Sequence, residues 1–115
     1  MTDAKLRQPA DPLYLLLREG RAEDFNRQRK PGEKYDLHAC NFRGVDLRQC
    51  NVENIDFSDC YFRQADLRGV DLRTCQLGGA SLHGAHVSGA YFPDSLDAAE
   101  IEMSVRIGTR MRNRR

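Results

Sequence analysis

A large apolar residue stands at every fifth position through the middle of this chain. Two positions before each of these stands a second apolar residue. This second series of inward-facing positions extends from Tyr35 to Ala90 and is apolar throughout. A period of five matches neither the 3.6 of an α-helix nor the 2 of a strand. The chain must therefore turn a corner every five residues, with the two apolar side chains of each repeat inward. The predicted core is Leu37, Phe42, Leu47, Val52, Phe57, Phe62, Leu67, Leu72, Leu77, Leu82, Val87 and Phe92.

A single five-residue repeat cannot bury its own apolar pair, but stacked repeats can, and this is the logic of a solenoid. The segments 65–69 (Ala-Asp-Leu-Arg-Gly) and 70–74 (Val-Asp-Leu-Arg-Thr) resemble the pentapeptide-repeat family. The resemblance extends over residues 35–94 and implies a mainly β fold, a right-handed quadrilateral β-helix. Twelve repeats would then form about three coils. Their height would be about 14 Å at the spacing of stacked strands.

Twenty residues per coil predict which side chains stack. Phe42 should lie over Phe62 and Leu82, and Asp46 over Asp66 and His86. Arginines beside the aspartates, such as Arg48 and Arg68, suggest an ionic ladder on the outer surface. The last coil is rich in glycine (78, 79, 84 and 89), which predicts that it narrows or changes turn type.

The flanks of the repeats are predicted to be helical caps within a single structural domain: residues 1–34 before the repeats, and residues 95–115, a helix with a basic tail, after them. Asp11–Pro12 reads as the start of one helix, and residues 22–28 as a second. The first ten residues are expected to fray. A solenoid needs such caps because its end faces otherwise expose core and unpaired edges.

The C-terminal segment permits two interpretations. Asp94 or Ser95 could cap a helix that contains residues 98–100, yet alternating apolar residues from 101 to 107 also suit a strand. We favour the helix. The pentapeptide-repeat resemblance implies that such a helix can form a homodimer, and the alternative is a helix folded back on its own coil. The candidate dimer interface is Met103, Ile107 and Met111.

The residues that invite a metal or catalytic reading are explained by the repeat. Cys40, Cys50, Cys60 and Cys75 all fall on the small inward position, where buried cysteine behaves as a small hydrophobe. The three histidines (38, 83 and 86) show no zinc-ligand spacing. No phosphate-binding loop or nucleophile motif is present. We therefore predict no enzymatic activity, no metal and no cofactor.

Two basic features suggest partners. Arg43, Arg63 and His83 form one outer column that could meet an acidic protein. The tail carries five arginines (106, 110, 112, 114 and 115), which we expect to be solvated and disordered rather than bound to nucleic acid. The net charge is only +1, from 18 basic and 17 acidic residues, and this near balance also argues against a nucleic-acid binder.

The function that these features favour is a non-catalytic protein–protein interaction module with an unidentified protein partner. The longest apolar run, residues 13–17, is far too short to span a membrane, and no segment resembles a secretory signal, so we expect a cytoplasmic location. The family resemblance implies an alternative, a DNA mimic that regulates DNA gyrase or topoisomerase. Residues 34–94 hold eight acids against six bases, whereas a rod of about 14 Å would need about eight net negative charges to match duplex DNA. This alternative is therefore disfavoured.

Overall fold

The computed structural model describes residues 6–114. Helices α1 (Pro12–Arg18) and α2 (Ala22–Gln28) precede the repeats, and α3 (Ala98–Ile107) follows them. Within the described range, regular strand is limited to β1 (Tyr35–Asp36) and β2 (Ile55–Asp56), which pair in parallel. No helix between residues 6 and 114 has the length and apolar character that a membrane span requires.

The repeats are held together by parallel pairing between residues 20 apart. Isolated bridges link Asn41 to Tyr61 and Tyr61 to Ser81, and others link Asp46 to Asp66 and Asp66 to His86. The backbone therefore returns to the same side of the stack, one coil further on, every 20 residues, as the sequence predicts. Single bridges take the place of most of the expected strand. We call residues 35–54, 55–74 and 75–94 the first, second and third coils. Their successive pentapeptides are sides 1 to 4, so that side 2 comprises residues 40–44, 60–64 and 80–84.

Each corner is a tight turn. The amide of Val45 donates to the carbonyl of Phe42 (3.2 Å), and the same bond recurs at five-residue intervals as far as Ala90 and Val87 (3.0 Å). The third turn residue has positive φ in most repeats, whether it is Gly44 (φ 69°) or Gln49 (φ 67°). The glycine-rich third coil adopts this same conformation, so the predicted change of turn type is wrong. Glycine there removes the strain that Gln49 accepts.

The core follows the fivefold pattern through the first two coils. Phe42 stacks on Phe62 with ring centroids 5.2 Å apart, and Phe57 meets both rings edge-on. Ten of the twelve predicted core residues, from Leu37 to Leu82, are buried. Val87 and Phe92 are only half-buried. These two residues pack against the core without being fully buried, because the chain covers that part of the third coil incompletely.

The N-terminal end is closed by backbone and side chains together. Arg7 pairs with the first coil as an added strand, its amide donating to Ala39 (2.7 Å) and its carbonyl accepting from Asn41 (3.0 Å). The side-chain amide of Asn26 does the same at the opposite corner, donating to the carbonyl of Gln49 (2.8 Å) and accepting from the amide of Asn51 (2.6 Å). The prediction that the first ten residues fray is therefore wrong for Arg7. Residues 1–5 of that segment lie outside the described range.

Further polar side chains reach other carbonyls of the first coil. The Tyr14 hydroxyl donates to Asn41 (2.6 Å), and Arg29, beneath α2, donates to Glu53. Asp11 caps α1 by accepting from the Leu13 amide (2.9 Å), as the sequence predicts. These contacts satisfy at least one edge group on each of the four sides of the first coil.

The C-terminal end is closed along sides 1 and 2 of the third coil. Helix α3 ends at Gly108 in the left-handed conformation, and the chain then pairs with the third coil through Met111, whose amide donates to Ala80 (2.9 Å). The Ser104 hydroxyl accepts from the Leu82 amide (2.8 Å), and the Val105 carbonyl accepts from Gly84 (2.9 Å). The predicted helix is thus confirmed, but Asp97 occupies the N-cap position rather than Asp94 or Ser95.

The basic tail is ordered as far as it is described, which corrects the expected disorder. Arg112 makes a two-pronged contact with Glu100, its Nη2 lying 2.9 Å from Oε2. Arg114 pairs with Asp97 (2.7 Å). These ion pairs tie the tail back to α3, while Arg115 lies outside the described residues.

Candidate protein-interaction surface

The four sides of the stacked repeats differ in charge. Side 2 contains two arginines and no acidic residue, whereas side 1 contains three aspartates and no lysine or arginine. Side 3 is balanced, with two aspartates and two arginines, and side 4 carries three acids and one arginine. A protein that is almost neutral overall therefore presents one distinctly basic side, which is the side that the sequence singled out.

The basic residues of side 2 lie along one line down the coils. Arg43 is exposed, while Arg63 and His83 are half-buried. The Arg63 guanidinium donates to the hydroxyl of Tyr61 (3.2 Å), which fixes its direction along the side. The ring of His83 lies against Gly108, where a Cβ would be 3.1 Å from the imidazole. The predicted column is thus brought together on one surface.

Helix α1 adds a cation to this side that the sequence did not reveal. Arg18 donates to the carbonyl of Arg43 (2.6 Å), which places its guanidinium at the top of the basic column. Its signal in the sequence is only a basic residue in the last turn of a short helix. The contact joins residues 25 apart, so it becomes visible only when the helix is placed on the coil.

Side 3 carries the predicted ionic ladder. Asp46 pairs with Arg48 (2.8 Å) and Asp66 with Arg68 (2.7 Å), while Arg48 also reaches Asp66 on the next coil (3.3 Å). Arg48 therefore compensates the stacked aspartates. Hydrogen bonds from Arg68 lower the pKa of Asp66 to about 2. These cations are therefore paired with carboxylates on the same side.

The four cysteines occupy the inward positions that the repeat predicts, as buried free thiols. The Sγ of Cys60 donates to the carbonyl of Leu37 (2.9 Å) and that of Cys75 to Val52 (3.1 Å). Burial raises the pKa of Cys40 and Cys50 to about 11 and that of Cys75 to about 12, and raises that of Cys60 further. Thiols held in this way are poor nucleophiles at neutral pH.

The histidines serve local contacts. Nδ1 of His38 lies 2.6 Å from the carboxylate of Asp36, and hydrogen bonds from His38 lower the pKa of that carboxyl. His86 stacks over Asp66 in its column. Residues 6–114 contain no group of three or more histidine, cysteine or acidic side chains placed to hold a metal ion.

The candidate dimer residues do not form one surface. Met111 lies beyond the end of α3 and is buried against the third coil, so the prediction that it continues the helical stripe is wrong. Ile107 is exposed over 59% of its surface, and Met103 is half-buried. The chain reverses at Gly108, which turns Met111 inward and leaves only two of the three residues on the helix.

The stacking at 20-residue intervals, the inward apolar pairs and the corner turns are typical of a repeat protein. The family model described as pentapeptide repeats matches residues 40–77 in eight copies. This segment is therefore similar to pentapeptide repeats, and the resemblance noted from the sequence is confirmed over residues 40–77. Pentapeptide repeats imply a right-handed quadrilateral β-helix, and proteins that contain them are generally non-catalytic and act through protein interactions.

A solved structure is also similar. It is HetL, a pentapeptide repeat protein involved in heterocyst differentiation regulation from the cyanobacterium Nostoc sp. strain PCC 7120. The identity is 31% over 51% of this chain, with a TM-score of 0.48, and the match spans 28% of the HetL chain. The comparison with curated proteins gave no match.

Proposed function

We propose that this protein is a non-catalytic interaction module that binds an acidic surface of another protein through side 2. The observation that carries the proposal is the absence of any acidic residue from the three pentapeptides of that side, which contain Arg43, Arg63 and His83. Arg18 extends the same line from α1. Complementary charge steers association and selects partners, and arginine is the cation best suited to recognise carboxylates.

The proposed scaffold is a short rod of three coils, right-handed and four-sided, with helical segments at both ends. Pairing at 20-residue intervals and the turn at each corner support it. A rod of this kind holds its outer side chains at fixed positions, so binding does not have to order a flexible loop. The four free thiols also favour the reducing cytoplasm as the place where the module acts.

A charge-reversal experiment tests the basic side. The variant R43E/R63E removes the column, and R48E/R68E makes the same change in net charge on the ionic ladder of side 3. Tagged wild-type protein and both variants are used to capture partners from the native cytosol, followed by mass spectrometry at two salt concentrations. We expect one stoichiometric partner to be lost from R43E/R63E alone and to bind more weakly at high salt. Equal retention by both variants contradicts the proposal.

The DNA-mimic alternative remains disfavoured. Residues 34–94 hold eight acids against six bases, and Asp46, Asp66 and Asp71 each pair with an arginine two residues later. The negative charge is therefore low and locally compensated. A supercoiling assay with purified DNA gyrase separates the two functions, because an interaction module of the proposed kind leaves supercoiling unchanged at excess protein.

We also propose that the chain associates with itself through its C-terminal segment. The support is the exposed apolar surface on and beside α3, to which Ile107 contributes. Sedimentation of the full chain over a range of concentrations tests this proposal, since a purely monomeric protein at the highest concentration contradicts it.

A further inference from the structure

The basic residues of side 2 are held at the repeat distance of the coils. The carbonyl of Arg63 accepts from the amide of Gly44 (2.8 Å), and the carbonyl of His83 accepts from the amide of Gln64 (2.9 Å). These bonds place the two arginines and the histidine at the same position on three successive coils, about 4.8 Å apart along the axis of the stack. Side 2 therefore presents a row of basic side chains at a short and fixed spacing.

The row extends from one cap to the other. At its upper end, Arg18 of α1 is exposed and donates to the carbonyl of Arg43 (2.6 Å). At its lower end, the ring of His83 lies against Gly108, where α3 ends. The row thus covers the full height of the three coils, about 14 Å, which equals the length of about ten residues of α-helix.

The surface on either side of the row is low. Tyr61 and Ser81, which precede Arg63 and His83 by two positions, are buried. Gly44, which follows Arg43, has no side chain, and the space that a Cβ would occupy there is open. The basic side chains therefore stand above their surroundings, and a straight, rod-shaped partner fits along them.

The spacing of the row distinguishes between the shapes of an acidic partner. Three acids on one face of an α-helix, one per turn, span about 10.8 Å, and three coil positions span about 9.6 Å. Side chains on one face of an extended strand recur about every 6.8 Å, so that three of them span about 13.6 Å. The helix departs from the row by about 1.2 Å and the strand by about 4 Å, and only the smaller difference is taken up by small movements of the arginine side chains. A strand laid across the stack would meet one coil only.

We propose that side 2 binds an α-helix of its partner, laid along the axis of the stack, with one carboxylate per helical turn facing Arg43, Arg63 and His83. The inference rests on the proposed binding of an acidic protein at side 2 and specifies the segment that is recognised. Arginine pairs with a carboxylate through two parallel N–H groups, so the two arginines supply most of the attraction. Arg18 extends the contact toward α1, and His83 sets its lower limit.

Three fluorescent peptides of about 15 residues, a length that covers the row with one turn to spare, test the inference. The first is a cross-linked helix with one glutamate per turn along a single face. The second has the same composition and cross-link, but its glutamates are distributed around the helix. The third keeps the order of the first and is made extended by two prolines. Circular dichroism verifies the conformation of each peptide.

Binding is measured by fluorescence anisotropy with the wild-type chain and with the variants R43E/R63E and R48E/R68E, whose folding is verified by circular dichroism. We expect the first peptide to bind the wild-type chain at least about 10-fold more tightly than either of the others, because only its carboxylates match the row. The variant R43E/R63E should weaken that binding about 10-fold or more, since it places like charges together. The side 3 variant R48E/R68E, with the same change in net charge, should bind as the wild-type chain does.

The outcomes separate the inference from the proposal on which it rests. Equal binding of the two helical peptides, lost in R43E/R63E, keeps side 2 as the acid-binding surface and overturns the alignment of the helix. Tightest binding of the proline peptide overturns the helix in favour of an extended segment. If no peptide binds, the inference is overturned, and capture from the cytosol with the same two variants decides the proposed function independently. Equal loss of binding in both variants contradicts the choice of side 2 itself.

Discussion

Both ends of the repeat stack must cover the core and provide hydrogen-bond partners for the edge of the terminal coil. The N-terminal end does so more completely than the C-terminal end. At the N-terminal end, Arg7, Asn26 and Arg29 bond to edge groups of the first coil from different directions. At the C-terminal end, Met111 and Ser104 close side 2, while Val87 on side 3 is left half-buried. Stacking alone therefore does not finish a solenoid. The closed end behaves as part of the core, and the half-open end is where we place contact with another molecule.

The largest expected difference between the ends is in core packing. Phe42 is completely buried under Tyr14 and stacked on Phe62, whereas Phe92, the large apolar residue of the last repeat, is half-buried. F42A should lower the free energy of unfolding by about 3–5 kcal/mol, and F92A by less than about half of that. Urea unfolding followed by circular dichroism measures both. Equal losses would mean that the two ends are packed equally well.

The thiols report how tightly the interior is sealed. Because burial raises the pKa of all four cysteines, we expect the native protein at pH 8 to react with a thiol reagent at least about 100-fold more slowly than the unfolded protein. Cys50, the most exposed at 8%, should react first. Rapid reaction of Cys60 in the native protein would contradict the sealed core.

The same thiols predict a loss of stability at alkaline pH. Their folded pKa lies above the unfolded value, so the stability that they contribute is complete below about pH 8.5 and is lost as the pH rises toward 11 or 12. Urea midpoints at pH 8 and pH 10.5 should therefore differ, and the variant C50S should reduce the difference. A midpoint that does not change with pH would show that the thiols ionise equally in both states.

Two single hydrogen-bonding side chains allow a matched comparison of the ends. Ser104 is fully buried, and its hydroxyl accepts from Leu82 and donates to Thr109 (2.7 Å). Asn26 makes its two edge bonds at a more exposed position. We expect S104A to cost about 2 kcal/mol and N26A about 1 kcal/mol, because a buried group left without its partner is penalised more than one that water can reach. Thermal unfolding ranks the two, and the reverse order would contradict this account.

The smallest expected effect belongs to the ionic ladder. The pKa of Asp66 is lowered to about 2 in the folded protein, so its contribution is present above about pH 4 and is lost as the pH falls toward 2. Solvent screening limits such pairs to about 0–1 kcal/mol each. The variant D66N should show a shallower fall in urea midpoint between pH 5 and pH 2.5 than wild type. A steeper fall would contradict the ladder.

The sequence predicted the repeats and the capping helices, but not the contacts that attach these helices to the coils, for a physical reason. A fivefold apolar pattern is a local property, and it places Phe42, Phe62 and Leu82 in one column without knowledge of the rest of the chain. The contacts of Arg18 and Asn26 join residues 23 to 25 apart through one side chain each. No periodic signal marks them. Met111 was assigned to the dimer interface because the four-residue spacing of apolar residues continues past Gly108. The helix ends there and the chain reverses, so the spacing no longer places Met111 on the helix.

Hydrogen exchange at three equivalent amides tests the central claim most directly. Leu47 donates to Asp66 (3.0 Å) and Leu67 to His86 (2.8 Å), while Val87 stands at the same position one coil further with no partner among the described residues. Exchange is followed by NMR at a concentration at which sedimentation shows the chain to be monomeric. The account predicts strong protection of Leu47 and Leu67 and rapid exchange at Val87. Equal protection of all three would contradict a half-open end, and rapid exchange at Leu67 would contradict the 20-residue stacking itself.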